Sequence, residues 1–441
     1  MKKMLVMMLS AVMFIVMLAG CSGGENSDAS KQNGGKAEGS KSEKKVKLQF
    51  FTGKVETIDL MNELIAKFNE KNPNIEVEQE YQKDASNVFK VKLASGDVPD
   101  ITTVVAQEYI DQGKYLDLSG EAYWPRVLPA IKDLTTDVKS GKQYKVATNV
   151  TMGGIFYNKA LFKELGLKPA STWDEFVSNL KIIQAKKPDV SPLFIAGKES
   201  WTLGQLIEFV GHGPLKQQLG VVPAKKAFIN NDSAQLKFDE QGGAMDTFAS
   251  RLMELRDEKL VNSDLITATY DNQKQAFVDG KAAMIIQGMW VMGDLLKMKP
   301  DFTDNIGFTV IPSVVDGLKP TVLSAEDSAY AITAESKHPE EAKKFLEFLL
   351  QPENLKIYSE TLKSPTAFTD VDADWGPLKD QAAEALKQGA NIAFTDWPSG
   401  FSGDDAGRMV QELLVGKYKN GHDFAVDFKK TWDKAWAANN K

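Results

Sequence analysis

From residue 46 onward, short apolar runs alternate with longer segments whose apolar residues recur every third or fourth position. The first run, 46–51, predicts a strand, and Ile58, Met61, Leu64, Ile65 and Phe68 then mark one face of a helix. Lys71-Asn72-Pro73 ends that helix, since proline lacks the N–H and clashes with the preceding turn. Ile75, Val77, Gln79 and Tyr81 alternate as a second strand. Residues 89–93 read as helix, Gly96 and Pro99 mark a loop, and 101–105 predicts a third, buried strand. Strand–helix–strand repeats at this spacing imply parallel pairing with helices on both faces, an α/β class. Beyond them come strand 154–157, helix 160–165 closed by Gly166, and a helix carrying Trp173, Phe176 and Leu180 with Thr172 as N-cap. Further strands are expected at 193–196, 283–286, 306–311 and 330–332. An amphipathic helix is expected at 271–278, a stronger one at 340–350, and a largely helical tail over 406–436.

The N-terminal segment has another character. Met1-Lys2-Lys3 precedes an apolar run, 4–19, in the form of a secretory signal peptide. At roughly 16 residues the run is shorter than the ~20 that a membrane-spanning helix needs. It ends in Leu18-Ala19-Gly20-Cys21, which resembles the bacterial lipobox, so removal of 1–20 and lipidation at Cys21 with palmitate are expected. No other Cys is present, which excludes a disulfide framework. Residues 22–45 contain no aromatic side chain and cannot bury enough apolar surface to offset ordering, so 21–45 reads as a lipidated Cys and flexible tether. Its expected reach is on the order of 25–30 Å. The domain would then sit at the extracellular face of the cell membrane.

Length and charge narrow the class. A 441-residue chain exceeds what one core of roughly 250–300 residues holds, so two lobes are expected. A formal net charge of −7 without a basic stripe argues against a nucleic-acid partner. Phosphate-binding loops and nucleophile elbows are missing, and the three His (His212, His338, His422) lack metal-ligand spacing, so no cofactor and no metal are expected. The adjacent acids Glu326-Asp327 and Asp404-Asp405 fall in polar segments and read most simply as solvated loop charge. Paired carboxylates also suit a glycosidase, though nothing in the sequence fixes their separation.

A series of landmarks carries more. After the helix ending Ala66-Lys67-Phe68-Asn69-Glu70-Lys71-Asn72-Pro73 come Ser95-Gly96-Asp97-Val98-Pro99-Asp100-Ile101 and Ile155-Phe156-Tyr157-Asn158-Lys159-Ala160-Leu161-Phe162. Thr172-Trp173-Asp174-Glu175-Phe176 follows. Then come Phe277-Val278-Asp279-Gly280-Lys281-Ala282-Ala283-Met284 leading into Gly288-Met289-Trp290, then Pro312, and Phe345-Leu346-Glu347-Phe348-Leu349. In order and spacing across nearly the whole mature chain, these resemble the extracellular sugar-binding proteins of ABC importers, the family that includes maltose-binding protein. One departure is visible: many relatives carry a Pro where this chain reads Tyr144-Lys145-Val146-Ala147-Thr148-Asn149.

The resemblance implies a periplasmic-binding-protein-like fold of two lobes, each a mainly parallel sheet flanked by helices, with ligand in the cleft between them. The implied division is 46–149 plus 312–365 for lobe 1 and 150–311 plus 366–441 for lobe 2. It also implies a monomer that is not an enzyme, with a carbohydrate ligand (an oligosaccharide above all), two permease subunits and a cytoplasmic ATPase as partners. A surface-anchored glycoside hydrolase and a lipoprotein for a non-sugar solute are the alternatives.

Sugars present an apolar C–H face and a rim of hydroxyls, which suit aromatic rings and carboxylates or amides at strand ends. Trp290, after the buried strand 283–286, stands where the family stacks sugar. Trp201 and Trp397 lie in loops, the latter within Thr395-Asp396-Trp397-Pro398-Ser399-Gly400. Thr52, Glu80, Tyr81 and Gln107 end or follow the first strands, Glu326 and Asp327 precede the strand at 330, and Asn149 and Thr151 lie at the expected crossover. Trp173, Trp432 and Trp436 fall at helical positions and read as packing; Trp124 and Trp375 stay unassigned.

Overall fold

The computed structural model describes residues 45–439; the expected signal peptide, the lipidation expected at Cys21 and the expected tether up to residue 44 lie outside the described residues. In chain order the strands are β1 (Val46–Thr52), β2 (Ile75–Tyr81), β3 (Ile101–Thr102), β4 (Val146–Ala147), β5 (Val150–Asn158), β6 (Ser191–Leu193), β7 (Ala282–Gly288), β8 (Ile306–Thr309), β9 (Thr321–Glu326), β10 (Ala329–Ile332) and β11 (Ala390–Ile392). They form two sheets. The first has the order β2-β1-β3-β10-β4; the second has β11-β9-β5-β7-β6, with β8 beside β5.

In the first sheet β1 runs parallel to β2 and β3, while β10 runs antiparallel to β3 and β4. The helix Ile58–Lys71 buries the expected stripe of Met61, Leu64, Ile65 and Phe68 against this sheet. Phe68 meets Phe345 and Phe348 edge-on at 5.0 and 5.4 Å, clasping the helix Pro339–Leu349. Each such buried side chain contributes roughly 1.5–3 kcal/mol of transfer free energy. The third strand stops at Thr102 because its hydroxyl takes the Val104 N–H (3.0 Å), turning the chain out of the ladder before 105.

The second sheet is mixed. β5 runs antiparallel to β7, β8 and β9, so its neighbours pair in parallel only at the edges, β11 with β9 and β6 with β7. β6 ends at Leu193 rather than 196 because the Asn262 side chain bonds both Ile195 N (2.7 Å) and Ile195 O (3.1 Å) in place of a strand. Thr172 completes its cap reciprocally with Glu175, and Gly166 closes the preceding helix at φ 68°. The tail is two helices, Gly403–Leu414 and Gly421–Asn439.

Three strands, β4, β9 and β11, are not foreseen by the hydrophobic pattern, and β9 moves a boundary. Because β9 pairs with β5 from Val150↔Glu326 to Gly153↔Leu323, residues 312–326 belong with the second sheet rather than the first lobe. Val314, Val322, Leu323 and Ala325 accordingly pack in the second core, whereas Tyr330, Ile332, Ala367 and Phe368 pack in the first. The chain therefore returns to the first lobe after Glu326, not at 312, and stays there past 365 as far as Val371.

The helix Ser200–Leu206 packs backbone to backbone on Gly403–Leu414. A Cβ at Gly407 would stand 1.8 Å from the Ser200 carbonyl oxygen, and one at Gly204 2.3 Å from that of Gly403. Gly407→Ala is therefore expected to destabilise the protein by about 1–3 kcal/mol through overpacking, read as a lowered urea midpoint. An unchanged midpoint would refute this contact.

Candidate functional site

The two sheets are joined where three chain segments meet around Asn149. Its buried side-chain amide donates to Asp327 Oδ2 (3.1 Å) and Ser364 Oγ (2.7 Å). Main-chain bonds lace the same segments: Asp327 N to Asn149 O (2.9 Å), Val150 N to Pro365 O (2.8 Å) and Ala367 N to Thr148 O (3.1 Å). Buried polar groups must be paired, so this junction is costly to break and stays whole if the lobes move. Thr151, the next residue but one, is fully buried, and its hydroxyl has no protein partner among the described residues.

Beyond the junction the two lobes face each other across a cleft bridged by side chains. Lys145 pairs with Glu326 at 2.8 Å. Burial alone would push the Lys145 ammonium down, but Glu326 and Asp396 outweigh it and hold it above its ordinary range. Burial likewise opposes ionisation of Glu326, and Lys145 and Lys225 override it, keeping that carboxyl low. On the first-lobe side, Lys54 lies against Asp327 in a close ion pair. Tyr270 donates its hydroxyl to Glu56 (3.1 Å), Ser399 to Asp111 (2.7 Å), and Lys83 pairs with Glu199 (3.0 Å).

Apart from Trp397, the residues expected at the site fall into three groups. Asn149, Thr151, Glu326 and Asp327 sit together at the junction, and both acids are largely buried instead of solvated loop charge. Around the cleft, Trp201 meets Tyr270 edge-on at 4.9 Å, and Tyr81 lies within reach of the Glu56, Asp271 and Lys274 charges. Gln107 donates to Asp111 and Asp137 (2.9 Å each), next to the Ser399 bridge. Three others are tied into their own lobes. Thr52 is fully buried and accepts from Thr103, Glu80 is held by Gln49 (2.7 Å) and Lys92 (3.0 Å), and Trp290 is only 5% exposed. The Trp290 ring lies over Gly288, where a Cβ would approach within 1.9 Å, and stacks toward Phe394 at 6.3 Å. Asp404 and Asp405 open a helix: Asp404 accepts from Ser200, and Asp405 completes the Ser402 cap.

Trp397 stands in the segment 393–399, which is clamped from below by buried polar groups. Glu208 lies in a π-helical turn, Ile207–Gly211, a form frequent at functional sites. Its carboxylate accepts from Thr395 N (3.3 Å) and from the Trp397 indole. His212 Nδ1 meets Thr395 Oγ1 at 2.9 Å, and Lys216 donates to Ala393 O at 2.8 Å. Burial pushes Glu208 up to about 7 and Lys216 down to about 8, each partly offset by the other's charge. Glu56, Tyr270, Lys225 and Glu208 went unrecognised in the sequence; Lys145, Asp396 and Ser399 stood inside segments singled out there without a role.

Residues 54–356 match the family model described as bacterial extracellular solute-binding protein. The chain is 32% identical over 376 residues to the multiple sugar-binding protein of Streptococcus mutans, covering 82% of this chain and 83% of that one. It is 26% identical over 319 residues to the melibiose/raffinose/stachyose-binding protein MelE of Bacillus subtilis, covering 72% of each. Among solved structures it is similar to the solute-binding protein RafE in complex with raffinose (TM-score 0.72, 27% identity, 89% of this chain and 100% of that one). A sugar transporter protein of Bacillus licheniformis in complex with stachyose shares the fold (TM-score 0.74, 23% identity, 90% and 100% covered).

The buried clamp gives a pH signature. Glu208 is raised from 4.5 to about 7, so the folded state holds a proton that the unfolded chain releases. Its contribution to stability is present below pH 4.5 and is lost as pH rises to about 7, on the order of 3 kcal/mol in total. Relative to Glu208→Gln, the wild type should lose stability between pH 5 and 7.5 in urea titrations. A constant difference between the two proteins would contradict this assignment.

Proposed function

We propose, for a chain that belongs to the bacterial extracellular solute-binding proteins, that it captures an oligosaccharide between its lobes and hands it to the permease of an ABC importer. The observation that carries the reading is the cleft itself, two walls lined by rings, carboxylates and hydroxyls that meet beyond one buried junction. A sugar lying there meets aromatic faces at Trp201, Tyr270 and Tyr81 and carboxylates at Glu326, Asp327 and Asp111. The partnerless Thr151 hydroxyl is an acceptor and donor for a sugar hydroxyl at the junction. Trp290, with Phe209 and Phe394, forms an aromatic floor beneath. Glu80, Thr52, Gln107 and Asn149 act through the groups they hold in place. Ligand held by one wall gains contacts from the other on closing, so binding shifts the population toward the closed form. The permease then reads that form.

The same reading places the protein at the outer face of the cell membrane. Cys21, in Leu18-Ala19-Gly20-Cys21, carries the lipid, and 22–45 serves as tether to a monomeric binding unit. The conversion of sugar to product plays no part.

A thermal-shift screen of the protein against mono- and oligosaccharides tests the capture. At about 100 times its dissociation constant a ligand adds roughly 2.7 kcal/mol to stability. Raffinose- or stachyose-class sugars should raise the melting point and be recovered intact; silence across the panel, or cleavage, would overturn the reading. Trp201→Ala should weaken binding by about 1–3 kcal/mol in calorimetric titration, and unchanged affinity would remove it from the site. In the producing cells, Cys21→Ser should abolish palmitate incorporation and release the protein to the medium; persistent labelling would place the lipid elsewhere.

A further inference from the structure

We infer that Lys225 is the closure latch of the cleft, a second-lobe cation that sets ligand affinity by capping the end of a first-lobe helix without touching ligand. Lys225 lies on the helix Val221–Ile229 and is 7% exposed. Its ammonium crosses the cleft and donates to two main-chain carbonyls of the first lobe, Leu134 O and Thr136 O (3.0 Å). Both belong to the C-terminal end of the helix Pro129–Thr135, where carbonyls lack intrahelical partners and the helix dipole is negative. Asp396, on the cation's own lobe, stands at 3.6 Å. The ammonium has three donors, and these three oxygens account for them, so none is left for a sugar.

The other lysine bridges across the cleft are poorer latches. Lys297–Asp59 is 76% and 80% exposed, and the lysine of Lys83–Glu199 is 69% exposed, so solvent screens both. Lys145–Glu326 is buried, but Glu326 pairs with Val150 at the junction itself, where closing moves groups least. Lys225 instead grips main chain of the opposite lobe, and Leu134, whose carbonyl it binds, packs against both cores. A group that favours only the closed form scales the affinity of every ligand by one factor, whereas a group that touches sugar changes the ratio between sugars.

This inference rests on the binding reading above, and its test separates the two. In the full chain, Lys225→Met should weaken raffinose and stachyose by the same factor, about tenfold, as expected for losing charge-assisted hydrogen bonds, while Lys225→Arg loses less than about threefold. Nitroxides at Val91→Cys and Val415→Cys, both 66% exposed and on opposite lobes, report closure in a Cys21→Ser background. The Met variant should show a smaller short-distance population than the Lys225 parent, with and without raffinose. Identical distance distributions under both conditions, or unequal losses for the two sugars, overturn the latch. Failure of the parent to bind either sugar counts against the sugar reading alone, because the distances without sugar still decide the latch.

Discussion

The architecture depends on one small buried junction. Asn149 ties all three connecting segments through a single amide, and the main-chain bonds around it leave Thr148, Val150, Asp327 and Ala367 paired across segments. Separating any segment would strand buried donors, at roughly 1–3 kcal/mol for each group left unsatisfied. A turn of the lobes about the junction would leave these bonds whole, whereas a slide along it would break them. Two cores with separate membership make each lobe rigid enough for such a turn to act as a whole-body motion.

What lies between the lobes is polar but almost fully paired. Lys145 with Glu326 and Tyr270 with Glu56 satisfy one another across the walls, and Lys54 with Asp327 on the first-lobe side. A neutral, hydroxyl-rich ligand suits such a cleft, since it donates to carboxylates without adding a charge that needs desolvation. Rings at the rim supply apolar area against its C–H face. Beneath the segment 393–399, Glu208, His212 and Lys216 hold backbone, hydroxyl and indole groups in place.

Fold and site were not equally legible in the sequence. Long amphipathic helices such as Ile58–Lys71 and Pro339–Leu349, and the Thr172 cap, declare themselves through local periodicity and capping chemistry. β3 and β6 read too long because the stops are side chains, the Thr102 hydroxyl and the distant Asn262 amide, which periodicity does not register. β9 was missed because Thr321–Glu326 follows a Pro- and Gly-containing stretch and pairs with β5, which lies far earlier in the chain. At the site, aromatic and acidic residues in loops were conspicuous. Lys225 and Glu208 were not, since each sits in a helical segment and gains its role only from groups brought near by the fold.

The most direct test is a crystal structure of the protein grown with the oligosaccharide that stabilises it most. Intact sugar lying between the lobes, against Trp201 and Tyr270 and within hydrogen-bond reach of Asp327 and Thr151, is the result predicted here. Sugar bound on the outer surface with the cleft unchanged, or a cleaved product between the carboxylates, would contradict it.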